Sequence, residues 1–552
     1  MSLEEYAPRP DFVLPQMLRQ RAEDTPDFPL VHEIGGATTT ASEVHETSVR
    51  LANALEKFGV AAGDRVAVML PPSLKALLTW MGSAWLSAWE VPVNHEFKGR
   101  SLTHALNDCQ ATILIVSADL VHEVCVVASE LSDLRTVVVV GGTEVSMPGA
   151  ITVLGWDEFM ASGGLKEHVG PRESDPYAIV YTSGTTGPSK GVLRPWGGFS
   201  ESHKVVFPND RTADHENPAV YAPWPTFHSS GKTSALVAIQ RGMRLVLRNQ
   251  FSLSKFWREV EEHHCTHALM VSVGPKLWAN RSDEDRNTPL ARVFANPLFP
   301  EAAEFEEFFG LRISSAWGMT EIGLALAINR PGPKMSCGRP VESFQLRIVD
   351  ENDYEVTPGH VGELIVRHER PWQLATGYFG RPEATANAWR NGWFHTGDAL
   401  RMDADGDYHF VDRVKDYVRF RGHNISAREV EVEVNGHPSV AQSACVGVRA
   451  GVIDPVTQQI TLGDEEVRVF VVPAAGATVD PASLWQYLSD RMPRMMVPRY
   501  IDVVQDLPMT PTHKIRKVEL RDRAVAPDTW DRHADQLRPA AAGQEAKENA
   551  RA

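Results

Sequence analysis

Cysteine is scarce: Cys109, Cys125, Cys265, Cys337 and Cys445 are the five in 552 residues, widely spaced and odd in number. That excludes a small disulfide-framed scaffold and implies reduced thiols in a cytosol. Positive charge is also in deficit, with 55 Lys and Arg against 71 Asp and Glu and a net charge of −16. A nucleic-acid partner is therefore not expected, because a phosphate backbone selects a basic footprint. A local basic pocket for an anionic cofactor stays compatible with this balance. Long apolar runs are missing as well. The longest, "ALLTWMGSAWLSAW" from Ala76 to Trp89, is too short to span a bilayer and is broken by serines and a glycine, so it predicts a buried helix and no membrane span. The acidic start "MSLEEYAPRPDF" has no apolar signal core, and a cytoplasmic protein is expected. The run His263-His264-Cys265 has no second ligand cluster at a suitable spacing and does not predict a metal site.

What is present is ordinary globular material, 43% hydrophobic and 23% charged. At about 150 residues per domain the length predicts several units, or one large domain with a smaller one. "SEVHETSVRLANALEKFGV" has apolar residues at helical spacing and stops at Gly59. "DRVAVMLP", "ATILIVSA" and "RTVVVVGG" are β-branched runs bounded by turn residues and predict strands. Strands separated by helices imply a layered α/β domain with a largely parallel sheet. From about residue 396 the chain becomes charge-rich, with a tight turn expected at Asp405-Gly406. A helix ("AREVEVEVNGH"), strands ("SACVGVRA", "EEVRVFVVPA") and a further helix ("PASLWQYLSDRM") then predict a small α+β domain. The division expected is 1–414, 415–530 and a disordered, polar, Ala-rich tail over 531–552.

"YTSGTTGPSKGV", Tyr181 to Val192, follows the strand-like "YAIVY". Glycines let backbone amides point at an anion, Ser183, Thr185, Thr186 and Ser189 add hydroxyl donors, and Lys190 adds a mobile charge. The composition suits a polyphosphate. It is not a Walker loop, whose lysine follows glycine and opens a helix: here Lys190 follows serine, and Pro195 discourages a helix. No H-R-D or D-F-G kinase element occurs.

The loop is followed in order by "WGMTE" (317–321), "GELIVR" (362–367), "GYFGRPEAT", "WFHTGD" (393–398), "DRVKDYVRFRGHNIS" and "LPMTPTHKIRK". With this series the chain resembles the adenylate-forming superfamily of acyl-CoA synthetases, peptide-synthetase adenylation domains and firefly luciferase. Its C-terminal region looks most like free-standing acyl-CoA ligases, and its ending is similar to actinobacterial ligases of the carnitine/crotonobetaine-CoA type and to those activating diterpenoid acids of platensimycin-type biosynthesis. The resemblance implies a large multi-layered N-terminal α/β domain plus a small mobile C-terminal α+β domain. It implies acyl-adenylate formation from an acid and ATP with Mg²⁺, then thioesterification with coenzyme A, with a bulky or polycyclic acid as one candidate. Transfer to a carrier protein is the alternative, and a homodimer is compatible with either.

Carried over residue by residue, Thr182, Ser183, Gly184, Thr185, Thr186, Gly187 and Lys190 would hold the phosphates. Glu321 would bind Mg²⁺ and Thr320 would reach the α-phosphate. Ala295, Asn296, Pro297, Ser315, Ala316, Trp317 and Gly318 would frame the adenine, while Asp398 and Arg413 would take the ribose. Lys514 would bridge the acyl carboxylate and α-phosphate, Lys415 would be the hinge, and Gly422 would line the CoA tunnel behind a gate at His228. Trp224, Phe227, Trp196 and Gly318 would wall the acyl pocket. The chain departs from the superfamily pattern at "FANPLFP", where a glycine-rich loop is usual, at Trp196, where histidine is common, and at His513, where glycine usually precedes the catalytic lysine.

Overall fold

The computed structural model describes residues 9, 12–142, 145–148, 151–182, 189–208, 215–332, 335–416, 418–420, 423–449, 452–453, 460–461, 465–509 and 514–533. The N-terminal part stacks two mixed sheets around shared helices. In one, strands Thr152–Gly155, Thr136–Val140, Ile113–Ser117, Arg65–Met69, Trp89–Pro92 and Pro176–Thr182 run parallel in that spatial order. Lys190–Pro195 and Gly377–Tyr378 then close the edge antiparallel. In the other, parallel strands run from Val31–Glu33 through Arg244–Leu247, Ala219–Ala222, His267–Val271 and Arg292–Asn296 to Arg312–Met319, with antiparallel strands at both ends. Buried on both faces, the parallel strands are apolar almost throughout, as the sequence predicts.

The helix from Ala41 to Lys57 starts where Thr40 accepts from the Glu43 amide while the Glu43 carboxylate accepts from the Thr40 amide, a reciprocal cap. Its Val44, Leu51 and Leu55 pack on Leu77, Leu78, Met81 and Trp85 in one core. The apolar run 76–89 is a buried helix only over Leu74–Trp85. It stops earlier than its composition suggests because Ser87 takes a left-handed conformation (φ 55°) that turns the chain into the strand Trp89–Pro92.

A third, antiparallel sheet is built from Phe344–Val349, Gly362–His368, Trp393–Met402, Trp389–Arg390 and Tyr408–Arg413. The smaller C-terminal domain has strands Val440–Arg449, Glu465–Pro473, Tyr500–Val503 and Trp530–Asp531. Alternation sends Cys445, Val469 and Val471 towards helices Ala427–Asn435 and Pro481–Ser489, and Ala444, Val446 and Phe470 towards Leu520 on the opposite face. The architecture is the large α/β plus small α+β arrangement expected. Among the described residues no helix is long and apolar enough to cross a membrane, no three His, Cys, Asp or Glu gather as metal ligands, and the five cysteines are free thiols.

Candidate functional site

The segment expected to hold phosphates lies between the strands Pro176–Thr182 and Lys190–Pro195, antiparallel partners in which Thr182 stands opposite Lys190. A strand, not a helix, follows the lysine, which is why the Walker pattern is broken. Thr182 and Lys190 form the rim; Ser183, Gly184, Thr185, Thr186 and Gly187 lie outside the described residues. The Lys190 ammonium sits 5.0 Å from the centre of the Tyr378 ring, and the Tyr378 hydroxyl donates to Glu321 Oε1 at 2.9 Å. Tyr378, which the motif reading quoted without assigning, touches two of the expected site residues. Its link to Glu321 joins the short edge strand Gly377–Tyr378 to a turn more than fifty residues earlier, a pairing that only the fold creates.

Thr320 and Glu321 occupy the turn between the antiparallel strands Arg312–Met319 and Gly323–Ile328. A bulge at Trp317/Gly318 tightens that turn. A Cβ on Gly318 would fall 1.9 Å from the Gly323 carbonyl oxygen, so only glycine fits. Glu321 is buried at 6% exposure. Its main-chain carbonyl accepts from the Ala375 amide at 2.7 Å and from the buried Arg194 guanidinium at 3.4 Å, which fixes the turn from behind. Trp317 is half-buried and packs in the core under the third sheet, while Ser315 and Ala316 are buried in the strand. Ala295 is likewise buried, so its methyl belongs to the core; Asn296 ends the strand and a cis bond leads into Pro297.

Asp398 and Arg413 face each other across the strands Trp393–Met402 and Tyr408–Arg413. The guanidinium lies 2.8 Å from Asp398 Oδ1, a buried oxygen that makes no well-aligned hydrogen bond. Asp398 is 3% exposed. Burial pushes its carboxyl up to about 6, against the pull of Arg413, with Glu321 and Asp412 adding to the rise. Lys514 belongs to the C-terminal domain, yet the charges of Arg413 and Asp398 act on it, and burial together with Arg413 lowers its pKa. Lys514 in turn acts on His228, which burial and that neighbouring cation push down to about 4, leaving a neutral imidazole. Lys514 is therefore within electrostatic reach of both His228 and the Asp398–Arg413 pair.

His228 precedes the helix Ser229–Arg241. Its position follows from a tight turn in which Gly231 approaches the Pro225 carbonyl: a Cβ there would come within 2.4 Å. Phe227 stacks at a tilt on His228 and edge-on against His95. Trp224 stacks on Phe251 and donates to the Leu269 carbonyl at 2.6 Å. Trp196 does not reach an open wall. It is buried behind Trp80, stacked on it at 5.4 Å, and Trp80 is the ring that lines a small cavity with Trp224. Lys415 lies in the single turn Val414–Asp416, and Asp416 is held by Arg521 at 3.2 Å. Gly422 and His513 lie outside the described residues.

Comparison with known proteins identifies the family and the fold. The AMP-binding enzyme family matches residues 18–379, and the AMP-binding enzyme C-terminal domain matches 429–514. A crotonobetaine/carnitine–CoA ligase of Salmonella paratyphi A is 26% identical over 495 residues, spanning 87% of this chain and 92% of its own. That of Salmonella arizonae is 28% identical over 484 residues, 86% of this chain and 91% of its own. Among solved structures, the anthranilate CoA ligase AuaEII in complex with anthranoyl-AMP superposes with a TM-score of 0.77 at 22% identity, over 94% of this chain and 98% of that one. ATP-bound MatB from Rhodopseudomonas palustris gives 0.75 at 22% identity, over 93% and 98%. With its fold shared by these structures and more than half of its length matched by the family, the chain belongs to the AMP-binding enzyme family.

Proposed function

We propose that this chain is an AMP-forming acid–CoA ligase. It joins a carboxylic acid to ATP as an acyl-adenylate, releasing pyrophosphate, then passes the acyl group to the thiol of CoA, releasing AMP. The observation that carries this reading is a chain of contacts and charge interactions: Tyr378 links Lys190 to Glu321, Arg413 pairs with Asp398, and Lys514 feels Asp398 and Arg413 and in turn acts on His228.

In the first step a carboxylate oxygen bonds to the α-phosphorus and the bond to the β-phosphate oxygen breaks. Negative charge grows on the phosphoryl and leaving oxygens, so fixed cations and donors dominate the catalysis. Lys514 and Thr320 would meet the α-phosphate, and Lys190 with the loop 182–187 would meet the outer phosphates. Mg²⁺ enters with ATP. A lone buried carboxylate such as Glu321, held at one oxygen by Tyr378, suits an ion that takes few protein ligands and completes its shell with phosphates and water. The Asp398 carboxylate, an acceptor at both oxygens, suits the ribose hydroxyl donors.

In the second step the thiol attacks the acyl carbon and AMP leaves. The domains 1–414 and 415–530 would rotate about Lys415, withdrawing Lys514 and bringing the segment around Gly422 to the tunnel behind His228. The curated relatives above are named CoA ligases, which favours CoA over a carrier protein as acceptor. The aromatic side chains Trp224 and Phe227 beside His228 favour a ring-bearing acid, a polycyclic one among the candidates. Acid-dependent exchange of labelled pyrophosphate into ATP without CoA tests the first half. No exchange with any acid would contradict the reading, and an adenylate that CoA does not consume would redirect the second half to a carrier protein.

A further inference from the structure

Asp398 stands on a break in the third sheet. The strands Gly362–His368 and Trp393–Met402 pair with Val366 opposite Phe394 and Ile365 opposite His395, and resume with Glu363 opposite Ala399. Between these points Leu364 alone faces Thr396, Gly397 and Asp398. A bulge of this kind takes ladder partners from the backbone and re-aims the side chains it carries. Here two side chains take up the freed groups. Glu363 Oε1 accepts from the Gly397 amide at 2.9 Å. The Thr396 hydroxyl donates to the Leu364 carbonyl at 2.6 Å and accepts from the Asp398 amide at 3.1 Å. Thr396 is 4% exposed, and the Glu363 carboxylate is itself held, with Oε2 3.0 Å from His395 Nδ1 and 3.7 Å from the Arg390 guanidinium. Gly397 takes a left-handed φ of 68° with open space where a Cβ would stand, so glycine serves its conformation there and not its packing. Because side chains alternate along a strand, a slip of one residue in the bulge would turn Asp398 to the other face and away from Arg413, its partner on the next strand.

We propose that Glu363 and Thr396 are positioning residues for the nucleotide: by closing this bulge they set the direction in which the Asp398 carboxylate meets the ribose hydroxyls of ATP. They act through the two amides that flank the Asp398 side chain, Gly397 N–H and Asp398 N–H, and not by touching the nucleotide. A carboxylate gives strong, directional bonds to hydroxyl donors only when its own geometry is held, and small misplacements of such a group are costly. The inference rests on the ribose role given to Asp398 in the ligase reading above.

The test is a cycle between these side chains and the ribose hydroxyls. Calorimetry on the full-length protein gives Kd for MgATP and for the magnesium complex of 2′,3′-dideoxy-ATP, with no acid substrate needed. The wild type should bind MgATP at least about tenfold more tightly than the dideoxy nucleotide. Glu363→Met and Thr396→Val keep the volume but remove the acceptor and the hydroxyl, and each should lose most of that ratio by weakening MgATP alone. Glu363→Gln and Thr396→Ser keep the acceptor and the hydroxyl and should preserve it. A merely structural role would weaken both nucleotides by one factor and leave the ratio unchanged. The wild-type ratio retained in Glu363→Met or Thr396→Val, its loss in the two conservative variants, or a wild type indifferent to the ribose hydroxyls overturns the proposal. Where Glu363→Met does not fold, Thr396→Val decides. A ribose preference lost in the variants as expected, with no pyrophosphate released from MgATP and any fatty, aryl or polycyclic acid, would leave the positioning roles standing and overturn the ligase reading instead.

Discussion

Buried beside Arg413, the Asp398 carboxyl has its pKa raised from an ordinary 3.8 to about 6 by loss of solvent. Ionising it is harder in the folded chain than in the unfolded one. The stability belonging to the protonated form is complete below about 4 and is lost as pH rises through about 6, a cost on the order of 3 kcal/mol at neutral pH. Asp398→Asn should therefore raise the melting temperature of the ligand-free protein at pH 7, with the gain shrinking as the pH is brought from 6 towards 4 in thermal unfolding scans. The same variant should lose about 10- to 100-fold in kcat/KM for ATP, because charge-assisted bonds to the ribose go with the carboxylate. Wild-type affinity for ATP should fall below about pH 6 for that reason. His228, neutral down to about pH 4, should add no inflection of its own near neutrality. Tyr378→Phe removes one hydrogen bond to Glu321 while keeping the ring beneath Lys190. It should raise the Mg²⁺ concentration needed for half-maximal adenylation by roughly tenfold, with little change in melting temperature.

At the scale of elements, the bulged turn holding Thr320 and Glu321 is the most constrained piece of the site. Gly318→Ala places a methyl against the Gly323 carbonyl and should cost about 1–3 kcal/mol of stability and most adenylation, measured by denaturant unfolding and pyrophosphate release. Elements of this kind divide what the sequence discloses from what it hides. The strands at Arg65–Met69, Ile113–Ser117 and Thr136–Val140 were legible because each is a β-branched run with turn residues at both ends. Asp398 and Arg413, paired across two strands, fell within quoted motifs. The early end of the helix at Trp85 was not legible, because Ser87 gives no composition signal for its positive φ. Nor was the burial of Trp196, which depends on Trp80 stacking over it from more than a hundred residues away. The Tyr378–Glu321 and Lys232–Glu90 contacts were hidden for the same reason: each partner is unremarkable in its own segment, and only sheet order brings them together.

For the whole molecule, the decisive arrangement is that Lys514, from the C-terminal domain, is within electrostatic reach of His228, Asp398 and Arg413 of the N-terminal one. The two half-reactions need different partners at that spot, so removing the lysine should separate them. Lys514→Ala should lose about a hundredfold or more in adenylation yet still convert preformed acyl-adenylate and CoA into thioester. Near-normal adenylation would contradict the role given to Lys514. Asp416, tied to Arg521 next to Lys415, lies where a rotation would have to begin. Asp416→Ala should change the ratio of the two half-reactions and also lower the melting temperature, because Asp416 is buried and its loss leaves the Arg521 guanidinium without this partner. The most direct measurement of the central claim is mass spectrometry of the products made from MgATP and a mixed pool of fatty, aryl and polycyclic acids, with and without CoA. The account predicts an acyl-adenylate without CoA that becomes an acyl-CoA and AMP when CoA is added. An adenylate that persists in the presence of CoA, or no adenylate from any acid, would contradict it.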